Sequence, residues 1–97
     1  MTMKFRKKPT VLDGIQWNGG NLFEVVEFME GTPDIKGSVA ADKWTDYSYG
    51  VQKNGLTVQT LEGPLIAPVG HWILKGDKGE CWPVRPDYFA DNYEAIE

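Results

Sequence analysis

Apolar positions recur along this chain with two periods, and the change from one to the other marks its elements. Residues 3 to 17 read as extended: Val11, Asp13, Ile15 and Trp17 fall on one face, and Leu12, Gly14 and Gln16 on the other. Pro9 marks a kink or an edge position, because proline cannot donate to a ladder. Asn18-Gly19-Gly20 signals a turn. Beyond it Leu22, Val25, Val26 and Met29 follow at i, i+3, i+4 and i+7, the stripe of an amphipathic helix over about residues 21–30. Asn21 and Glu24 have capping-box spacing at its start, and Gly31 and Pro33 stand where such a helix stops. Residues 32 to 46 are rich in turn formers and predict a long loop with a short strand near Val39, a length at which loops are often functional.

The second half predicts hairpins. Asn54-Gly55 is the favoured pair for a type I′ turn, which would set Lys53 opposite Leu56, Val51 opposite Val58 and Tyr49 opposite Thr60. Leu61 to Pro64 turns the chain, Leu65 to Pro68 extends, and Pro68-Val69-Gly70 turns it again. His71–Lys75 and Glu80–Val84 form another hairpin around Gly76-Asp77-Lys78-Gly79. A four-residue turn there opposes Ile73 to Trp82, Leu74 to Cys81, and Lys75 to Glu80 as a cross-strand ion pair. Pro86 opens a short helical turn near 86–90, and Asn92 to Ile96 closes as a strand. The expected fold class is α+β: a mainly antiparallel, curled or barrel-like small sheet of short hairpin-linked strands, with one amphipathic helix covering it.

Composition narrows the class. At 97 residues, with 41% hydrophobic residues and four each of Trp, Tyr and Phe, the chain supports one domain with its own core and is not disordered. No apolar run approaches a membrane span of ~20 residues, and no signal peptide is visible. Cys81, the one cysteine, has no internal disulfide partner and fits a reducing compartment. Ten basic and fourteen acidic residues give a net charge of −4. Four of the ten, Lys4, Arg6, Lys7 and Lys8, lie within the first eight positions, so the rest of the chain stands at −8. Such a body repels nucleic acid and offers a complementary surface to a basic partner.

Several segments together resemble a family of small proteins encoded by bacteriophages and prophages. The first is Lys4-Phe5-Arg6-Lys7-Lys8-Pro9-Thr10-Val11-Leu12-Asp13-Gly14-Ile15-Gln16-Trp17, leading into Asn21-Leu22. The second is Val58-Gln59-Thr60-Leu61-Glu62-Gly63. The third runs from Val69-Gly70-His71-Trp72 through Ile73-Leu74-Lys75-Gly76-Asp77-Lys78-Gly79-Glu80 to Pro83-Val84-Arg85-Pro86-Asp87-Tyr88-Phe89 and Tyr93. Members of that family typically carry a Gly-Asp-aromatic step where this chain has Gly70-His71-Trp72. The resemblance omits roughly residues 32 to 55, read here as a variable loop and hairpin insertion. It implies a phage-encoded protein acting in the host cytoplasm, and it transfers no catalytic residues.

The search for chemistry finds no reactive constellation. One His and one Cys on opposite arms of a hairpin do not make a metal site or a nucleophilic pair, and no cofactor is implied. Cys81 reads as a small buried hydrophobe. Asp42 with Asp46, and Asp87 with Asp91, have i, i+4 spacing in segments read as loop or cap. Gly76-Asp77-Lys78-Gly79 lacks the strand-to-helix context of a phosphate loop. The aromatic residues carry more. Trp17, Trp72 and Trp82 sit on expected strands, whereas Trp44, Tyr47 and Tyr49, with Asp42, Lys43 and Asp46 among them, read as core packing or as a surface rich in hot-spot residue types. The expectation is a non-enzymatic protein that binds a host or defence-system protein through Asp42, Lys43, Trp44, Asp46, Tyr47 and Tyr49. The alternative is a nucleotide-sequestering homodimer using His71 and Arg85. A remote third reading is a hydrolase using His71 with Asp77 or Asp87.

Overall fold

In a computed structural model, residues 2–6 and 10–96 are described. The element order is β1 (Asp13–Gln16), α1 (Leu22–Glu30), α2 (Ser38–Asn54), β2 (Leu56–Thr60), β3 (Gly63–Ala67), β4 (Trp72–Lys75), β5 (Cys81–Val84) and α3 (Pro86–Asn92). This is a small α+β fold, but its strands neither curl into a barrel nor join in one sheet. They form an antiparallel sheet of order β1-β4-β5 and a separate β2-β3 hairpin packed against β5.

β4 is the central strand, and both its faces are covered: Ile73 and Leu74, which point to opposite sides, are each almost fully buried. Ile73 joins the main core with Trp17, Val25, Val51, Leu56, Val58, Ala67 and Cys81. α1 follows the sequence stripe, with Val25 and Val26 buried and Leu22 and Met29 packed at the margin. Asn21 makes no side-chain cap. Its amide instead bridges the turn, accepting from the Asn18 N–H at 3.0 Å and donating to the Gln16 carbonyl at 2.8 Å. The opening strand is shorter than its alternation implies: regular pairing covers Asp13–Gln16, and Val11 is exposed. The expected kink at Pro9 and the charges of Lys7 and Lys8 lie outside the described residues.

The largest correction concerns residues 32–55. Residues 32–37 are a loop as expected, but from Ser38 onward the rest of the expected loop, the strand near Val39 and the first arm of the Asn54-Gly55 hairpin are replaced by α2, a helix of 17 residues. Ala40, Trp44, Tyr47 and Val51 recur at i, i+4, i+7 and i+11, which is a helical stripe. The Asn-Gly pair marks a positive φ, and a helix C-terminus uses one as readily as a type I′ turn does. Gly55 has φ +94° and donates its N–H to the Val51 carbonyl at 2.8 Å, ending the helix and starting β2.

The β4–β5 register is also corrected, by one residue. Ile73 opposes Pro83, Leu74 opposes Trp82, and Lys75 opposes Cys81. The cause is the five-residue connection Gly76–Glu80. The Gly79 N–H closes a turn on the Gly76 carbonyl at 3.1 Å, and the Gly76 N–H bonds the Glu80 carbonyl at 2.9 Å. Gly79, at φ +83°, supplies the left-handed step of a bulged hairpin. A one-residue slip exchanges faces, so Cys81 shares Ile73's side and enters the core.

The expected closing strand Asn92–Ile96 does not form. α3 runs to Asn92, and the Tyr93 ring folds back onto Phe89 at 5.3 Å, while Phe89 lies flat on Trp72 at 4.0 Å and 7°. Three stacked rings thereby fix the C-terminal helix to β4. The whole is elongated, 63 × 29 × 25 Å. Its radius of gyration is 16.1 Å, where a compact chain of this length would have about 12–13 Å.

Candidate binding face

α2 lies with only Val51 buried. At 100° per residue its side chains separate into two stripes. Ala40, Trp44, Tyr47 and Val51 face the body. Trp44 meets Phe23 of α1 edge-on at 5.7 Å and 73°, and Tyr47 leans on Trp44 at 5.6 Å. Burial, and then the nearby Glu30 carboxylate, push the Tyr47 phenol above its ordinary pKa. Asp42, Asp46 and Tyr49 form the second stripe at i, i+4 and i+7, all exposed, with Tyr49 at 67%. Lys43 lies between the stripes, and with Trp44, Asp34, Lys36 and Val39 it lines an open groove beside the helix start.

The six residues expected at a partner interface therefore share one helix but do not share one role. Trp44 joins α2 to α1 through Phe23, and Tyr47, although 41% exposed, leans on Trp44, whereas Asp42, Asp46 and Tyr49 point to solvent on the opposite side. The helix also sets Asp42 and Asp46 one turn apart on the same exposed face.

A second feature lies where the end of α1, the end of β2 and the β4–β5 connection meet. A cleft of about 170 Å³ is lined by residues that include Met29, Glu30, Gln59, Leu61, Glu80 and Cys81. Glu80 Oε2 is shielded from solvent there and has no hydrogen-bond partner among the described residues. The expected Lys75–Glu80 ion pair is absent, because the bulge moves Glu80 off the ladder. Lys75 instead donates to the Phe28 carbonyl, with its ammonium 4.9 Å from the centre of the Phe28 ring. The Cys81 thiol is pushed above its ordinary pKa, chiefly by burial and further by Glu80 and Glu30, against a lowering influence of Lys75. That is the environment of a packed thiol, not of an activated nucleophile. Phe23, Glu30 and Glu80 escape sequence reasoning. Phe23 lies off the apolar stripe, Glu30 looks like any solvated helix carboxylate, and the position of Glu80 depends on the bulge.

His71 is half-buried in the Pro68–His71 turn, where its N–H donates to the Pro68 carbonyl at 3.0 Å and its carbonyl accepts the Trp17 N–H at 2.9 Å. The whole of β4 separates it from Asp77, a span of about 13 Å at ~3.3 Å per residue. Asp87 pairs with Arg85 at 3.4 Å on the surface. His71 and Arg85 flank the Trp72–Val84 end of the ladder, beside the stacked rings. Among the described residues, no group of three or more His, Cys, Asp or Glu converges as metal ligands would, and no helix is long and apolar enough to cross a membrane. Comparisons with family models, curated proteins and solved structures gave no match.

Proposed function

We propose that this chain is a non-enzymatic binding protein that recognises a protein partner through the exposed stripe of α2. The observation that carries the reading is a 17-residue helix that buries one side chain while presenting Asp42, Asp46 and Tyr49 along its outer face. An isolated helix of this length is marginal in water, so contacts made by a partner stabilise it directly. Two carboxylates followed by a tyrosine, at i, i+4 and i+7, suit a helix laid into a groove with basic walls and an apolar pocket at one end. In line with the phage resemblance, the partner class is a host or defence-system protein met in the host cytoplasm.

Affinity capture from infected cells, followed by identification of bound proteins, tests this reading. Tyr49→Ala combined with Asp46→Lys should abolish capture while moving stability by less than about 0.5 kcal/mol, as exposed substitutions do. Trp44→Ala should instead cost about 1–2 kcal/mol through its contact with Phe23. Undiminished capture by the Tyr49/Asp46 variant would sink the assignment.

A second reading, nucleotide sequestration at a homodimer interface, draws support from His71 and Arg85 standing beside the Trp72–Phe89–Tyr93 stack. Native mass spectrometry of protein purified from cells separates the two readings, because sequestration requires retained nucleotide.

A further inference from the structure

We propose that the N-terminal arm of one copy docks in the acidic cleft of a second copy, so that the chain self-associates by exchanging arms. The arm has an occupant's chemistry. Met3 and Phe5 are 72% and 87% exposed, and the cations Lys4 and Arg6, also exposed, alternate with them. An extended segment with that order shows an apolar edge and a cationic edge.

The cleft has the matching chemistry. Met29, Leu61 and Cys81 supply apolar lining, and Leu61 is 87% exposed. Glu30, which is exposed, and Glu80 supply negative charge at its wall. α1 ends at this cleft with no basic residue in its last turn, and Lys75 of β4 caps its Phe28 carbonyl. Lys75, turned onto Phe28, still acts electrostatically on Cys81, so the acidic character of the cleft rests on Glu30 and Glu80. At about 170 Å³ the cleft is small, a space for part of one side chain rather than for a strand.

A second copy is the occupant because the charge division lies within the chain itself: a cationic start, followed by a body at −8. Two-fold exchange satisfies both clefts at once. The contact uses the α1–β2–β5 side rather than the outer stripe of α2, so it stands or falls independently of the partner reading. Attraction between largely exposed charges is screened over ~10 Å at 0.1 M salt, which makes the association weak and salt-sensitive.

Sedimentation velocity on the full chain tests the proposal. In low salt the protein should move from monomer to dimer with rising concentration, and the dissociation constant should rise about tenfold or more at ~0.5 M NaCl. The double variant Lys4→Glu/Arg6→Glu should be monomeric, as should Glu30→Lys. Glu30 is exposed, so its reversal spares the core in a way that Glu80→Lys need not. An equimolar mixture of the two charge-reversed proteins should recover a dimer, since the unaltered arm then meets an unaltered acidic cleft and the reversed arm meets a cleft whose two carboxylates no longer both repel it. A chain that stays monomeric at every concentration, a dimer that survives arm reversal, or a mixture that does not recover would each overturn the proposal. A monomer whose arm occupies its own cleft, seen as cleft amide shifts on arm reversal, overturns it too.

Discussion

Gly50 and Gly55 stand five residues apart and call for opposite responses to the same substitution. Gly50 lies inside α2 with open space where a Cβ would project, so Gly50→Ala should raise stability by about 0.5–1 kcal/mol. Gly55 has a positive φ, and a Cβ there would lie 3.1 Å from Ile66 Cγ2. Gly55→Ala should lower stability by about 1–2 kcal/mol, and thermal melts of the two variants should move in opposite directions. Cys81 makes the second test at this scale. Its folded pKa is raised, so the folded state holds its proton more tightly than the unfolded state. Stability is therefore unaffected below the unfolded thiol pKa and falls as pH rises through and above roughly 9. Cys81→Ala should flatten that alkaline decline, and the native thiol should react with iodoacetamide far more slowly than the unfolded one. The burial of Cys81 was legible in the sequence. The face it occupies was not, because that depends on one bulge residue.

Among elements, α1 was legible because its apolar stripe, its Gly31 stop and its burial agree. α2 was not, because its residues satisfy two periods at once. Tyr49, Val51, Leu56 and Val58 alternate as in a strand, while Ala40, Trp44, Tyr47 and Val51 recur as in a helix. Local pattern does not choose between them. The choice falls to long-range contacts: β2 pairs with β3 rather than with residues 49–53, and Val51 then fills the core above Leu56. The same weakness of local anchoring has a dynamic consequence. Helix amides from Ala41 to Ser48 should exchange with deuterium orders of magnitude faster than those of Ile73 and Leu74, because the latter belong to the most buried strand. Equal protection across both segments would show that the Trp44–Phe23 contact holds the middle of α2 as firmly as β4 is held.

For the whole molecule, the core is small and shared. Leu56, Val58, Ile73 and Val25 have essentially no exposure and come from α1, β2 and β4, so each links elements distant in the chain. Leu56→Ala or Ile73→Ala should cost about 2–5 kcal/mol, a large part of a small domain's total stability, and unfold both sheets together in denaturant. What the sequence determined by itself was local: the α1 stripe, the Pro68–Gly70 turn, the β4–β5 hairpin, the proline start of α3, and the split between a cationic start and an acidic body. Those features rest on periodicity, backbone preference or charge, which neighbouring residues settle among themselves. Tertiary structure alone decided that residues 38–54 wind into a helix and that the strands divide between two sheets. It also decided that Tyr49 parts company with Trp44 and Tyr47, and that Glu30, Glu80 and Cys81 meet in one cleft. Each of those outcomes depends on which distant surfaces bury one another, and that free energy exists only once the chain has closed on itself.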